Sequence, residues 1–425
     1  MTLMEKLLKI WRIRELRNNI LFVIAMLVIF RLAAHLPVPG VDTQALRELF
    51  ASNQFLGLMN LFSGGGMQNF SIVMMGVSPY ITASIIFQLL GMIVPSIEEM
   101  NKEEAGRQKI NMWTRWATVP LAVIQSYGMI ALLRRSSYQI LGSIDWLSFV
   151  ALIATITAGT IFLMWLGELI TEKKTGNGIS MLIFAGIIAG LPQSVQQLAL
   201  TYDSSKLFMI IGFVVIAVLT IVGVIYISEG QRNIPVQYAR QMHGGHSYGG
   251  STTHLPLRVN MAGVIPIIFA VSVILFPSMI AQFFVTSKVA WLAGASTWII
   301  GLLANQWFYG ISYFILVVAF TYFYTEVVFH PDQVAENLQK QGGFVPGIRP
   351  GQQTSRYLSG VIHKITLAGA LFLGIIAILP LIMKSATGLQ SLAIGGTSLL
   401  IVVSVVIETV KQIEAQMTMR QYDGY

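Results

Sequence analysis

The stretch GVSPYITASIIFQLL, residues 76–90, carries no charged side chain and sits in an apolar block running from 72 to 94. A helix needs about 20 mostly apolar residues to cross the hydrocarbon of a bilayer. Helix is the default for such a block, because backbone polar groups in hydrocarbon must be satisfied within the segment. Outward from it lie nine more blocks of this kind, at 18–36, 113–133, 149–170, 180–198, 208–227, 262–284, 309–329, 366–383 and 397–413. Residues 289–304 are apolar but shorter, with Trp291, Trp298 and Trp307 in or beside them. Tryptophan prefers the headgroup region, so this piece is expected to be interfacial or re-entrant.

Composition agrees with a membrane protein. Of 425 residues, 55% are hydrophobic and 11% charged, against roughly 25% charged in a soluble domain. There is no cysteine, which excludes disulfides, a thiolate nucleophile and a Cys-based metal site. The net charge of +8 reads as loop charge that sets topology rather than as a nucleic-acid surface. The first span follows Lys6, Lys9, Arg12, Arg14 and Arg17, but its apolar run exceeds the roughly 7–15 residues of a secretion-signal core, so it is expected to be retained.

Charge distribution decides the number of spans. With ten spans and a cytoplasmic N-terminus, 20 basic residues fall inside and six outside (Arg47, Arg134, Arg135, Lys206, Lys288 and Lys384), with Arg31 within a span. An eleventh span at 289–304 would worsen the ratio to 15 against 11. The expected organisation is a cytoplasmic segment 1–17, an N-terminal half 18–200 and a C-terminal half 201–425. An internal repeat links the halves: Gly76-Val77-Ser78-Pro79-Tyr80-Ile81 and Gly263-Val264-Ile265-Pro266-Ile267-Ile268 both read G-V-x-P-x-I. Five spans per half, an odd number, gives the halves opposite orientation, as in many transport proteins. Both prolines fall inside expected spans, where they would loosen the helix. The two largest cytoplasmic loops, about 228–261 and 330–365, are either docking surfaces for a soluble partner or linkers.

Catalytic templates are missing. No phosphate-binding G-x-x-x-x-G-K-[ST] and no H-E-x-x-H occurs; neither enzyme nor cofactor is expected. His243, His246 and His254 share one loop but lack Cys or acidic co-ligands, and read as solvated. Glu168, Glu326 and Glu408 lie at cytoplasmic ends of spans and Arg31 near an outer end. A midplane charge would cost about 2.5–3.5 kcal/mol, and this sequence has none, so ion-coupled transport lacks its coupling residues. Asn60 to Phe70 (NLFSGGGMQNF) is too short and polar to span, and three glycines make it either a mobile re-entrant segment or a surface turn. In Gly343 to Gly351 (GFVPGIRPG), two Pro-Gly pairs favour tight turns and place Arg349 at a stiffened tip.

Several motifs in order resemble the SecY family, the central subunits of the bacterial protein-translocation channel: Pro37-Val38-Pro39-Gly40, FSGGGMQNFSI at 62–72, GVSPYITASIIFQLL at 76–90, THLPLRVNMAGVIP at 253–266, GGFVPGIRPG at 342–351 and GGTSLLIVV at 395–403. The resemblance implies an all-α membrane protein of ten transmembrane helices in two inverted five-helix halves around an hourglass pore. It implies an aliphatic waist at Val77, Ile81, Ile183, Ile187, Ile268 and Ile401; on residue type alone each would be lipid-facing or core. It implies a plug at about 60–71, with Phe62, Ser63, Gly64, Gly65, Gly66 and Met67. A lateral gate would lie between the second and seventh spans, with Pro79, Ile85, Gln88, Pro266 and Ile274. Arg240 and Arg349 would contact the ATPase SecA or the ribosome. Further implied partners are SecE, SecG, signal sequences, nascent chains and membrane lipids, in the bacterial plasma membrane, without direct nucleic-acid readout. The tip Gln241 to Gly250 lacks the basic residues usual in the family, which weakens the expected contact there. The competing reading is a secondary transporter of a small solute, with Gln88 and Gln125 as its poor midplane candidates; a membrane enzyme lacks any acid–base cluster.

Overall fold

A computed structural model describes residues 11–38, 41, 46, 60, 63–135, 145–200, 207–238, 241–243, 246–248, 252–285, 289–387 and 395–422. Helices occupy all ten expected segments: α1 (Arg14–Ala34), α2 (Ser78–Ile93), α4 (Glu104–Arg135), α5 (Trp146–Glu172), α6 (Gly178–Leu200), α7 (Leu207–Glu229), α8 (Ile265–Phe284), α10 (Gln306–Val328), α12 (Gln352–Thr387) and α13 (Gly395–Tyr422). Shorter helices are α3 (Pro95–Lys102), α9 (Ala290–Ala304) and α11 (Pro331–Lys340). Among the described residues, five stretches are by themselves long and apolar enough to cross a membrane, in α1, α5, α7, α10 with α11, and α12. The α2–α3 pair, bent by 109°, adds a sixth if the two helices are counted as one broken span.

The exposed side chains of α7 show what solvent this fold needs. Ile211, Val214, Val215, Val218, Leu219, Val222 and Ile225 all face outward. An apolar row of that length is stable against lipid tails and would drive association in water. The molecule is a multi-pass membrane protein.

The long helices repeat one neighbour pattern. In the first five, α1 packs on α5 and α6, α2 on α4, α4 on α5, and α5 on α6. In the second five, α7 packs on α12 and α13, α8 on α10, α10 on α12, and α12 on α13. The two sets meet at two seams, α2 and α4 with α8, and α6 with α13. Polar contacts fasten α13 near the second seam: Gln416 Nε2 donates to the Lys174 carbonyl at 2.6 Å, and Lys411 pairs with Glu229 of α7 at 2.8 Å.

The expected spans 72–94 and 262–284 are shorter helices than the sequence reading gives. Gly76 and Gly263 sit at φ +58° and +63°, a left-handed conformation that glycine adopts without penalty. Val77 (φ −95°, ψ 5°) and Val264 (φ −96°, ψ −8°) then cap α2 and α8. Pro79 and Pro266 occupy the first turn of their helices. There the missing N–H has no intrahelical partner to lose. The expectation that these prolines loosen a span is therefore wrong: they start helices. The G-V-x-P-x-I repeat is a repeated backbone geometry.

The all-α expectation also needs correction. Strands β1 (Gln231–Tyr238), β2 (Gln241–His243), β3 (His246–Tyr248), β4 (Thr252–Arg258) and β5 (Gly343–Phe344) build two small sheets. β1 pairs antiparallel with β4 from Gln231 opposite Arg258 to Gln237 opposite Thr252, and its far end pairs with β5 through Gln237 with Phe344 and Tyr238 with Gly343. Alternation buries Ile234 and Val236 of β1. Ile234 and Leu257 form a second apolar core with Val345 and with Leu358, Val361 and Ile362 of α12. The two large loops are thus one platform resting on α12, because the two-stranded β1–β4 ribbon alone cannot bury its apolar face. The linker alternative fails for these residues.

A candidate waist, plug and partner platform

The six residues expected at the waist come from four helices. Val77 and Ile81 lie at the start of α2, Ile183 and Ile187 one turn apart on α6, Ile268 in the first turn of α8 and Ile401 in α13. All are between 1% and 6% exposed and belong to one buried apolar cluster. None faces lipid. Ile81 and Ile268 are equivalent in the repeat: the N–H of each donates to the carbonyl of its capping valine, at 3.0 and 3.3 Å.

The glycine loop is folded on itself and sits against this cluster. Ser63 Oγ donates to the Asn60 carbonyl (2.9 Å) and accepts from Met67 N–H (3.1 Å). Gln68 N–H donates to Asn60 Oδ1 (3.0 Å), and Asn60 Nδ2 to Gln68 Oε1 (3.2 Å). Residues 63–70 form consecutive turns rather than a helix. Ser63, Gly64, Gly66 and Met67 are buried and Gly65 half-buried; the surface-turn alternative fails. Phe62 lies outside the described residues.

Gly64, at φ +67°, approaches α6 so closely that a Cβ on Gly186 would lie 2.3 Å from the Gly64 Cα. Gly186 stands between Ile183 and Ile187. Two functional candidates absent from the sequence reading follow from this seat. One is Gly186, legible only as a glycine among isoleucines at helical spacing. The other is Arg31, expected merely near an outer end, whose Nη1 donates to the Gly64 carbonyl at 2.6 Å.

Of the residues expected at a gate between α2 and α8, Pro79, Ile85, Pro266 and Ile274 are buried. Gln88 is half-buried and donates to Ser84 on its own helix at 3.2 Å. Gln125 is buried in α4. Glu168 pairs with Arg115 across α4 and α5 at 2.6 Å; as an exposed pair it adds little stability.

On the platform, Arg349 is exposed as expected. Gly347 and Gly351, the second residues of the two Pro-Gly pairs, have φ of +82° and +94°. Ile348 N–H closes a turn onto the Val345 carbonyl at 3.0 Å, and Thr354 Oγ1 donates to the Arg349 carbonyl at 2.9 Å. The two glycines allow the turns, and the tip is stiffened by these two bonds and by the fixed φ of Pro346 and Pro350. Arg240 lies outside the described residues. Of the loop histidines, His254 is on β4 opposite Pro235, and His243 pairs with His246 in the β2–β3 ribbon. Among the described residues no three potential ligands converge on a metal position.

The family model for SecY matches residues 71–410. The chain is 44% identical to the protein translocase subunit SecY of Halalkalibacterium halodurans over 429 residues, covering 98% of each protein. It is 42% identical to that of Streptomyces coelicolor over 428 residues, covering 97% of each. A solved structure of a protein-conducting channel superposes with a TM-score of 0.62 at 17% identity, over 93% of this chain and 91% of that one. Sec61 in the canine ribosome–channel complex from the endoplasmic reticulum gives 0.57 at 16%, over 93% and 91%; both likenesses concern the fold. A family match over most of its length, relatives above 40% identity from end to end and a repeated helix pattern that superposes on translocation channels lead to one conclusion: this chain belongs to the SecY family.

Proposed function

We propose that the chain is a protein-conducting channel that passes unfolded preproteins across, and releases membrane spans sideways into, the bacterial plasma membrane. Ten spans in two inverted halves, 18–200 and 201–425, surround an hourglass pore, with the N-terminus in the cytoplasm. The waist is Val77, Ile81, Ile183, Ile187, Ile268 and Ile401; a narrow aliphatic constriction resists ion flow by dewetting, without charge. The plug is the loop at about 60–71. The gate is the α2–α8 seam, through Pro79, Ile85, Gln88, Pro266 and Ile274. SecE and SecG are the small partner subunits. Energy comes from SecA or a translating ribosome docked at Arg349 and Arg240.

The observation that carries this reading is the seat of the glycine loop, with Gly64 in backbone contact with Gly186 between Ile183 and Ile187. A solved relative is described as having a plug domain that stabilises the closed state and maintains a membrane seal, the role assigned here to that loop. The solute-transporter alternative loses its support, since the relatives are translocase subunits.

The test is SecA-driven translocation into proteoliposomes containing the reconstituted complex. Arg349→Glu reverses a charge on an exposed, stiffened tip and is expected to cut transport at least tenfold, equivalent to about 1.4 kcal/mol, with the folded channel recovered in normal yield. Undiminished transport would remove Arg349 from the docking site.

A further inference from the structure

An arginine in an apolar span is costly and by default marks a function. Arg31 lies in the last turn of α1, and none of the described carboxylates pairs with it. Its guanidinium donates to the Gly64 carbonyl at 2.6 Å and lies 5.9 Å from the centre of the Phe30 ring. The tip of that same ring, Cζ, would be 2.5 Å from a Cβ on Gly64. Phe30 and Arg31 therefore meet the loop at one residue, the first by packing and the second by a charge-assisted hydrogen bond. Only glycine leaves room for both.

The chain just beyond α1 holds the other end of the same loop. Val38 N–H donates to the Phe70 carbonyl at 2.8 Å, and Ile72 N–H to the Leu36 carbonyl at 3.1 Å. Pro37 and Ser71 form a β-bridge between them. His35 Nδ1 lies 2.8 Å from the Arg31 carbonyl, a contact within the C-terminal turn of α1. The two attachments differ in kind. Among the described residues, several backbone bonds act together at 70–72, whereas at residue 64 one side chain holds one carbonyl. Under load the single bond at Gly64 gives way first, and the backbone ladder remains as a pivot.

We propose that Arg31 is a positioning residue for the plug, a latch on the Gly64 carbonyl that sets the seated position of residues 63–67 while residues 70–72 act as the hinge. This rests on reading the glycine loop as the plug. A guanidinium is well matched to such a latch, because it keeps its charge in a poorly hydrated site and its donors are fixed in a plane. Lysine at this position would keep the favourable charge at the helix C-terminus but replace the fork with a strongly hydrated point charge.

The experiment uses the reconstituted complex. A single cysteine replaces Gln68 as a common background, since the chain has none of its own. Two quantities are read: modification of that cysteine by a membrane-impermeant maleimide from the outer side, and ion leak of idle channels. Arg31→Leu is expected to raise both roughly tenfold, equivalent to about 1.4 kcal/mol, and Arg31→Lys to raise labelling by roughly threefold. In a variant lacking residues 63–67, leak is expected to be high already and Arg31→Leu to add nothing. Labelling by Arg31→Lys equal to the parent would reduce Arg31 to a helix-end charge and overturn the latch. Leak that rises on deleting 63–67 but not in Arg31→Leu would overturn the latch and leave the plug standing. An added effect of Arg31→Leu in the deleted channel would show that it acts elsewhere and overturn the latch as well. No leak on deletion would remove the plug itself.

Discussion

Replacing Gly186 with alanine should unseat the glycine loop, and the backbone geometry gives the size of the effect. An added Cβ would sit 2.3 Å from the Gly64 Cα and 3.2 Å from its nitrogen. Carbon atoms pack at about 3.5–4.0 Å, so the two backbones must part by roughly 1.2–1.7 Å. Both sides are main chain, and no flexible side-chain end can yield instead. A retreat of that size along the line of contact stretches the Arg31 bond to Gly64, now 2.6 Å, toward or beyond hydrogen-bonding range. A bond to a charged donor contributes about 1.5 kcal/mol at the low end, which is roughly a tenfold rise in the unseated population. Idle leak should rise by the same factor. The same substitution favours α6 itself, since alanine exceeds glycine in helix propensity by up to about 1 kcal/mol; thermal stability of the purified complex should fall little. Gly190, one turn along, is the matched control, because a Cβ there meets nothing within 4 Å. The assay is dye-reported halide leak from proteoliposomes carrying idle channels of each variant. Equal leak from Gly186→Ala, Gly190→Ala and the parent would refute the seat as the seal.

Exchanging both Ile81 and Ile268 for asparagine places an amide on each side of the proposed waist, where an unpartnered polar group costs about 1–3 kcal/mol and so draws in water. Single-channel conductance and leak in planar bilayers should rise several-fold, and unchanged conductance would count against the waist. Ile234→Asp puts a carboxylate into the small core shared by β1, β4 and α12, at a cost of several kcal/mol. Residues 230–260 should then become protease-sensitive while the membrane helices stay intact; an unchanged digestion pattern would show that the two loops do not depend on that core.

How much of the molecule is legible in its sequence varies with the range of the interaction involved. The ten helical segments can be read from runs of apolar residues, because hydrocarbon forces each run to satisfy its own backbone. The G-V-x-P-x-I repeat can be found, but its meaning is easily misjudged: only the φ values of Gly76 and Gly263 reveal that the prolines begin helices. The cytoplasmic sheet is missed because β5 is only two residues long and joins β1 across about a hundred residues of chain, too far for a local pattern to signal. Gly186 and Arg31 are passed over for the same reason, since each matters through Gly64.

By itself the sequence determined the lipid environment, the position and order of the ten long helical segments, the absence of cysteine chemistry and the stiff arginine tip. These follow from composition, run length and turn preferences, which are properties of neighbouring residues. The tertiary structure alone decided that six aliphatic side chains from four helices enter one buried cluster, that Gly64 and Gly186 touch, and that two distant loops share a platform. Such facts depend on backbones meeting at a few ångströms. A glycine signals such a meeting only by lacking a side chain, and that says nothing of what comes to fill the space.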